Sequence, residues 1–213
     1  MPDKKLIQED AKKLNYVKSP HTAIFSGQTG CGKTQRVLDL LEGEYKNHFD
    51  NIVILCPTLR WNKTYQDRHW IWKDDFVFCI NPRDKLLQWI EKLSELFSGE
   101  ETLFIVDDII ADQTIDKKRQ PLLELAISGR HRKHSLWILT QSYTAIPKNL
   151  RRQKKQLFLW YPNEKSDFKL IDEETNVLEN KNVLAQIKEL LKNEKHGCLY
   201  IRNEPERTYQ ILI

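Results

Sequence analysis

Residues 27–34 read Gly27-Gln28-Thr29-Gly30-Cys31-Gly32-Lys33-Thr34. This is the complete G-x-x-x-x-G-K-[ST] pattern of a phosphate-binding loop. An apolar run at residues 22–26 precedes the loop and suits a buried strand, and residues 36–41 follow it with the apolar stripe of a helix. A strand, a glycine-rich loop and a helix in this order predict an α/β fold of the P-loop NTPase type.

The residue types in the loop fit a nucleotide site. Glycines let the backbone wrap a phosphate with its N–H groups inward, and the helix that follows presents its positive N-terminus to the same anion. We expect Lys33 to reach the β- and γ-phosphates and the Thr34 hydroxyl to bind Mg²⁺. No N-K-x-D guanine motif is present, so the predicted nucleotide is ATP with its Mg²⁺ ion. All eight loop residues are predicted to bind the nucleotide.

Two further strands are predicted to end in catalytic side chains. Residues 102–108 form an apolar strand that ends in Asp107 and Asp108, and the carboxyl end of such a strand opens beside the bound phosphates. Asp107 is predicted to hold Mg²⁺, directly or through water, and Asp108 to accept a proton from the attacking water. Residues 135–141 end at Gln141, whose amide could bond both the γ-phosphate and this water. An exposed acidic turn and a strand-terminal amide are the alternatives.

The 213 residues predict one α/β domain with a mostly parallel central sheet flanked by helices. Residues 1–19 are predicted as a basic N-terminal arm and residues 20–213 as the ATPase domain. The other predicted elements are strands at 51–56, 76–80 and 157–160, helices at 83–97, 117–129, 166–172 and 181–194, and a C-terminal hairpin at 198–202 and 208–212.

The positive charge is concentrated in one part of the sequence. The net charge is +4, yet eleven Lys and Arg stand between Lys117 and Lys155 against one acid, Glu124. Bases of this kind contact phosphates without reading sequence. The residues predicted to face duplex DNA are Arg151, Arg152, Lys154 and Lys155, with a solvated basic loop as the alternative. A stretch that mixes tryptophans with bases, residues 58–75, could stack on nucleic acid or pack a long loop onto the domain.

Two observations bear on location. No apolar run approaches the roughly 20 residues that span a membrane, and the N-terminus lacks a signal-peptide core. The four cysteines are scattered without a C-x-x-C pair, which indicates a reducing intracellular compartment and argues against zinc or a disulfide framework.

The order of these motifs resembles a known family. The loop, the strand that ends in two aspartates, Gly129-Arg130-His131, Leu139-Thr140-Gln141-Ser142-Tyr143 and Ile146-Pro147-Lys148-Asn149-Leu150-Arg151 together resemble the genome-packaging ATPases of large double-stranded DNA viruses. These form the poxvirus-type branch of the FtsK–HerA superfamily, and similar proteins occur in virophages and related transposons. The resemblance covers residues 20–160.

The resemblance implies a ring of identical subunits, a pentamer or hexamer, around duplex DNA. It also implies extra strands between the loop strand and the acidic strand, consistent with the candidates between residues 51 and 80. Arg130 would be an arginine finger that enters the nucleotide site of the neighbouring subunit, and Arg132 is the alternative finger. The plainer interpretation is a basic turn that binds only phosphate or solvent. Many relatives carry Glu where Asp108 stands, which puts the reach of this shorter side chain in question.

The predicted function is ATP-driven translocation of duplex DNA, most specifically packaging of a viral genome, with a capsid or portal protein as a further partner. The host cytoplasm, the virus assembly site or the virion is the expected location. The alternatives are a nucleotide or small-molecule kinase, another FtsK–HerA translocase such as one of plasmid transfer, and a DNA-binding or assembly protein whose nucleotide site only stabilises the fold. Asp107, Asp108 and Gln141 favour hydrolysis, because kinases do not need an acid that activates water.

Overall fold

The computed structural model describes residues 16–18, 20–82, 85–108, 120–162, 165–175, 181–204 and 208–213, so most of the predicted N-terminal arm lies outside the described residues. Within these residues, eight strands form one sheet in the order β3-β2-β4-β5-β1-β6-β7-β8. Neighbouring strands from β3 to β6 pair in parallel, and β6, β7 and β8 pair antiparallel. The strands are β1 Thr22–Ser26, β2 Asn51–Leu55, β3 Val77–Ile80, β4 Thr102–Asp107, β5 His134–Thr140, β6 Lys154–Trp160, β7 Cys198–Arg202 and β8 Thr208–Leu212.

Helices cover both faces of the sheet. They are α1 Lys33–Glu42, α2 Lys63–Gln66, α3 His69–Lys73, α4 Leu86–Leu96, α5 Gln120–Arg132, α6 Lys148–Arg151, α7 Lys165–Thr175 and α8 Lys181–Asn193. One apolar core joins the sheet to α4, α5, α7 and α8, and a second joins its other face to α1, α2 and α3. Among the described residues, no helix has the length and apolar character that crossing a membrane requires.

The burial of the central strands explains their apolar sequences. Strands β1, β2, β4 and β5 are buried along their whole length, because helices cover both faces, and such strands read as continuous apolar runs. Successive residues of each strand enter opposite cores; for example, Ile24 belongs to the core that includes α4 and α5, whereas Phe25 belongs to the core that includes α1. The predicted parallel sheet and C-terminal hairpin are confirmed.

The strand order decides where the site lies. Strands β2 and β3 do intervene between β1 and β4 along the chain, as predicted, but in the sheet they lie beyond β4. Strand β5 fills the place between β1 and β4. The end of β5 therefore lies between the phosphate loop and the paired aspartates.

The predicted basic turn at residues 129–134 has a different structure, since α5 continues to Arg132. Gly129 lies inside the helix at a close contact: a Cβ there would come within 2.6 Å of the His134 carbonyl oxygen. Basic side chains are favourable in the last turn of a helix, where they face the negative end of its dipole.

Candidate active site

The phosphate loop lies at the carboxyl edge of the parallel strands, between β1 and α1. Gly30 and Gly32 have φ angles of 77° and 106°, in the left-handed region that side chains disfavour. Gly27 is required for another reason, because a Cβ there would meet the Trp160 side chain at 2.6 Å. The Gly27 amide donates to the Thr140 carbonyl at 3.1 Å and so ties the loop to β5.

Lys33 is buried under the loop. Its ammonium group donates to the carbonyl oxygens of Gly27 at 2.6 Å and Gln28 at 2.9 Å. Both acceptors are neutral, so a bound phosphate would offer this ammonium a stronger, charge-assisted partner.

Thr34 and Asp107 provide the oxygen atoms that would hold Mg²⁺. The Thr34 hydroxyl donates to Asp107 Oδ2 at 3.4 Å, and Asp107 is 3% exposed at the end of β4. Hydroxyl and carboxylate oxygens are ligands that Mg²⁺ takes, and this ion usually keeps waters and substrate phosphates as the rest of its shell. The described residues contain no cluster of three or more His, Cys, Asp or Glu fit for a metal. The Thr34 hydroxyl and the Asp107 carboxylate suit a magnesium ion whose other ligands are waters and nucleotide phosphates.

Tyr65 is a neighbour of Asp107 that the sequence analysis missed. Its hydroxyl, fully buried on α2, donates to Asp107 Oδ2 at 2.8 Å. Burial raises the pKa of Asp107 to about 6, although the bond from Tyr65 and the charge of Lys33 lower it. Trp72 in turn donates to the Tyr65 carbonyl at 3.1 Å. The stretch at 58–75 thus packs onto the domain beside the site, while Trp61 stays 82% exposed.

Asp108 and Gln141 follow the neighbouring strands β4 and β5, and both are exposed. The Gln141 amide nitrogen lies 3.5 Å from Asp108 Oδ1. Asp108 has a φ of 55°, a left-handed conformation that Asp tolerates better than most residues. The structure thus brings the two predicted water-binding side chains together at the same edge of the sheet as the loop.

The two candidate fingers have different surroundings. Arg132 donates to the Ser94 hydroxyl at 3.2 Å and lies 4.0 Å from a Glu124 oxygen. Arg130 is exposed and has no ion pair with a described residue. Both residues end α5 just before β5 begins, at the amino edge of the sheet. That edge is one strand length, about 20 Å, away from the chain's own phosphate loop.

The basic segment, residues 148–155, corrects one prediction. Arg151 and Lys154 are 6% and 8% exposed, so their predicted role of facing DNA is wrong. Arg151 is held by Glu174, whose Oε1 lies 2.7 Å from Nη2, and by the carbonyl of Ile146. Lys154 opens β6, where side chains alternate between the faces, and its ammonium lies 3.8 Å from Glu174.

The other two bases of the predicted DNA set remain accessible. Arg152 is exposed directly after α6, and Lys155 is partly exposed at the second residue of β6. Lys155 forms a 3.0 Å ion pair with Glu204, which is itself exposed. Both residues lie at the same amino edge of the sheet as Arg130.

The C-terminal part, for which the sequence indicated no role, supports the phosphate loop. His196 Nδ1 donates to the Cys31 carbonyl at 3.2 Å, and the Trp160 indole donates to the His196 carbonyl at 3.2 Å. These contacts link the turn between α8 and β7 to the loop. They join residues far apart in the chain, so no local pattern signals them.

Comparisons with known proteins agree with this architecture. The poxvirus A32 protein family matches residues 9–204, whereas comparison with curated protein sequences gives no match. The genome packaging NTPase B204 of Sulfolobus turreted icosahedral virus 2, in complex with AMPPCP, has a TM-score of 0.65 and 17% identity over 93% of this chain and 99% of its own. B204, the DNA-packaging ATPase of Sulfolobus turreted icosahedral virus, has a TM-score of 0.67 and 16% identity, over 92% of this chain and 100% of its own. The pCW3 conjugation coupling protein TcpA has a TM-score of 0.60 and 14% identity, over 98% of this chain and 67% of its own. The chain belongs to the poxvirus A32 protein family and has the fold of these viral packaging ATPases.

Proposed function

We propose that the protein is an ATP-hydrolysing motor that moves duplex DNA and packages a viral genome into a capsid. One observation carries this proposal: the strand order brings Thr34, Asp107, Asp108 and Gln141 together beside the phosphate loop. Family membership and fold support the same function. The location that follows is the site of virus assembly, with a capsid or portal protein as the partner.

The side chains divide the chemistry among them. The loop amides and Lys33 bind the β- and γ-phosphates, and Thr34 and Asp107 would hold Mg²⁺, which neutralises phosphate charge when bound. Asp108 and Gln141 are 3.5 Å apart, close enough for one water to bind both. Gln141 orients this water and Asp108 takes its proton, which is the task of a base in hydrolysis and not one that a kinase requires.

The placement of Arg130 favours action between subunits. Because α5 ends at the amino edge, an arginine there serves a nucleotide only if another subunit presents one. A closed ring of identical subunits satisfies this need in every copy. We therefore assign Arg130 as the finger of a pentameric or hexameric ring, and Arg132, which is bonded to Ser94, as a structural residue.

Arg152 and Lys155 are the bases that we assign to the DNA backbone. Contacts to phosphate carry no sequence information, which suits a motor that must move along any sequence. Arg130 lies at the same edge, so DNA contacts and subunit contacts would share one side of each domain.

Steady-state ATP hydrolysis with and without long duplex DNA, at moderate salt, tests the proposal. The control is Lys33→Ala, which lacks the ammonium under the loop. We expect strong stimulation of the wild type by duplex DNA and no turnover in the variant. Unstimulated turnover with phosphate appearing on an added nucleotide or small acceptor would overturn the motor and identify a kinase.

A further inference from the structure

The loop after Gln141 is held by one buried carboxylate. Asp167, on α7, is 1% exposed. Its Oδ1 accepts hydrogen bonds from the Ser142 hydroxyl at 3.1 Å and the Thr144 amide at 2.9 Å, and its Oδ2 accepts from the Tyr143 amide at 3.0 Å. Hydrogen bonds to a carboxylate are stronger than those between neutral groups, and a buried carboxylate needs such bonds to offset its lost hydration. Asp167 thus fixes the backbone from which the Gln141 side chain projects.

The other end of α7 holds the basic segment. Glu174 stands seven residues after Asp167, about 10 Å along the helix. It accepts from the Tyr143 hydroxyl at 2.8 Å and from Arg151, with Nη2 at 2.7 Å and Nε at 3.0 Å. Tyr143 is therefore bonded to α7 at two points, its amide to Asp167 and its hydroxyl to Glu174.

Each exposed base of the segment adjoins a buried one. Arg152 directly follows Arg151, and Lys155 directly follows Lys154. The two buried cations also lie over the Tyr143 ring, 5.3 Å and 5.5 Å from its centroid. If a bound phosphate shifts Arg152 or Lys155, the adjoining Arg151 or Lys154 would shift with it and alter the contacts with Tyr143 and Glu174.

We propose that α7 couples DNA contact to hydrolysis: Asp167 is a positioning residue for Gln141, and Glu174 joins the same loop to the bases that contact DNA. This inference rests on the proposed function, since it needs both a hydrolytic role for Gln141 and a DNA role for Arg152 and Lys155. It assigns to Arg151 the task of linking the DNA side to the catalytic side.

Asp167→Asn tests the positioning role. The amide keeps the size of the side chain, but its NH₂ group faces hydrogen-bond donors and cannot accept from them. We expect kcat to fall about tenfold or more, equivalent to about 1.4 kcal/mol, while the KM for ATP and the affinity for a fluorescent ATP analogue stay within about twofold. Amide hydrogen exchange at residues 143 and 144 should accelerate. The matched control is Asp172→Asn on the same helix, which should match the wild type in all four measurements.

Tyr143→Phe tests the coupling with less risk to folding. It removes only the bond to Glu174 and leaves the amide bond to Asp167. We expect the ratio of DNA-stimulated to basal turnover to fall toward one, while basal turnover changes less than that ratio.

The outcomes separate the two proposals. Stimulated wild-type hydrolysis, together with Asp167→Asn and Tyr143→Phe variants that keep the wild-type kcat and stimulation ratio, would overturn the coupling role of α7 and leave the motor intact. Wild-type hydrolysis that ignores duplex DNA would overturn the motor and this inference with it.

Discussion

Two regions of the molecule bury charged side chains with opposite results. At the phosphate loop, the partners of Lys33 among the described residues are two carbonyl oxygens, and Asp107 accepts from the hydroxyl groups of Tyr65 and Thr34. In the basic segment, the buried Arg151 and Lys154 already face the carboxylate of Glu174. A buried charge without an opposite charge at hydrogen-bond distance is one that a charged ligand would complete. A buried charge pair is already complete, and removing one of its partners destabilises the fold.

The pKa values of the two acids express this contrast. Burial raises the pKa of Asp107 to about 6, and its hydrogen bonds offset only part of that effect. Burial also raises the pKa of Glu174, but hydrogen bonds from Arg151 and Tyr143 outweigh it, so this pKa lies below its ordinary value. Without a bound ligand, the fold therefore disfavours the charged form of Asp107 and favours the charged form of Glu174.

The largest expected effect is that of Lys33→Ala on turnover. We expect no measurable ATP hydrolysis, a loss of more than about a thousandfold, because the γ-phosphate loses its nearest protein charge. Thermal unfolding should change little, since the lost partners are two carbonyl groups. Wild-type turnover in this variant would show that the charge under the loop does not serve a phosphate.

Arg130→Ala should lower turnover by about a thousandfold while nucleotide binding persists, because the finger acts in the transition state. Mixing this variant with Lys33→Ala subunits should restore part of the activity, since each Lys33→Ala subunit offers its Arg130 to an intact site. Turnover of the mixture is the measurement. Absence of any rescue in rings shown to contain both variants would contradict a finger that acts on a neighbour.

Arg151→Ala and Arg152→Ala should separate stability from binding. Removing Arg151 leaves the partly buried Glu174 without its main partner and should cost about 2 kcal/mol in urea unfolding. Removing the exposed Arg152 should change stability by less than about 0.5 kcal/mol. Arg152→Ala should also make the dependence of log affinity for duplex DNA on log salt less steep, by about 0.9 in the slope. A stable Arg151→Ala variant, or an Arg152→Ala variant with an unchanged slope, would break the distinction between the two arginines.

The two acids should respond oppositely to loss of charge. The folded pKa of Asp107 is raised, so stability falls as pH rises from about 4 to about 6 and stays lower above that range. Asp107→Asn should therefore match the wild type near pH 4 and exceed its stability at pH 8 by about 1–3 kcal/mol, with no nucleotide or Mg²⁺ present.

Glu174→Gln should lose stability at pH 8 instead. The folded pKa of Glu174 is depressed, so its stabilising effect is present above the ordinary pKa and is lost as pH falls through the folded value. Urea unfolding of both variants and the wild type from pH 8 down to pH 3 measures these effects. Curves that shift in the same direction for both variants would contradict the contrast between the acids.

The sequence predicted the active-site edge well, for a local reason. The loop needs glycines at particular backbone angles, and the apolar runs before Asp107 and Gln141 are typical of buried parallel strands. Each of these signals lies within a few consecutive residues. The order of the sheet was less accessible, because the placement of β5 between β1 and β4 depends on pairing between distant segments.

The basic segment shows where a charge pattern stops being informative. Four bases among residues 151–155 look alike in the sequence, and only the register of β6 and the position of Glu174, on a helix that follows the strand, bury two of them. Tyr65 gave no signal either, since its bond to Asp107 crosses 42 residues. A signal for the extended α5 did exist: Arg130, His131 and Arg132 are bases in its last turn.

Movement along duplex DNA is the central claim, and displacement of a third strand from a triplex at the end of a linear duplex measures it directly. The account predicts release of the third strand by the wild type with ATP and Mg²⁺, dependence of the release on duplex length outside the triplex, and none with Lys33→Ala. DNA-stimulated ATP hydrolysis at the full rate without any release of the third strand would contradict it.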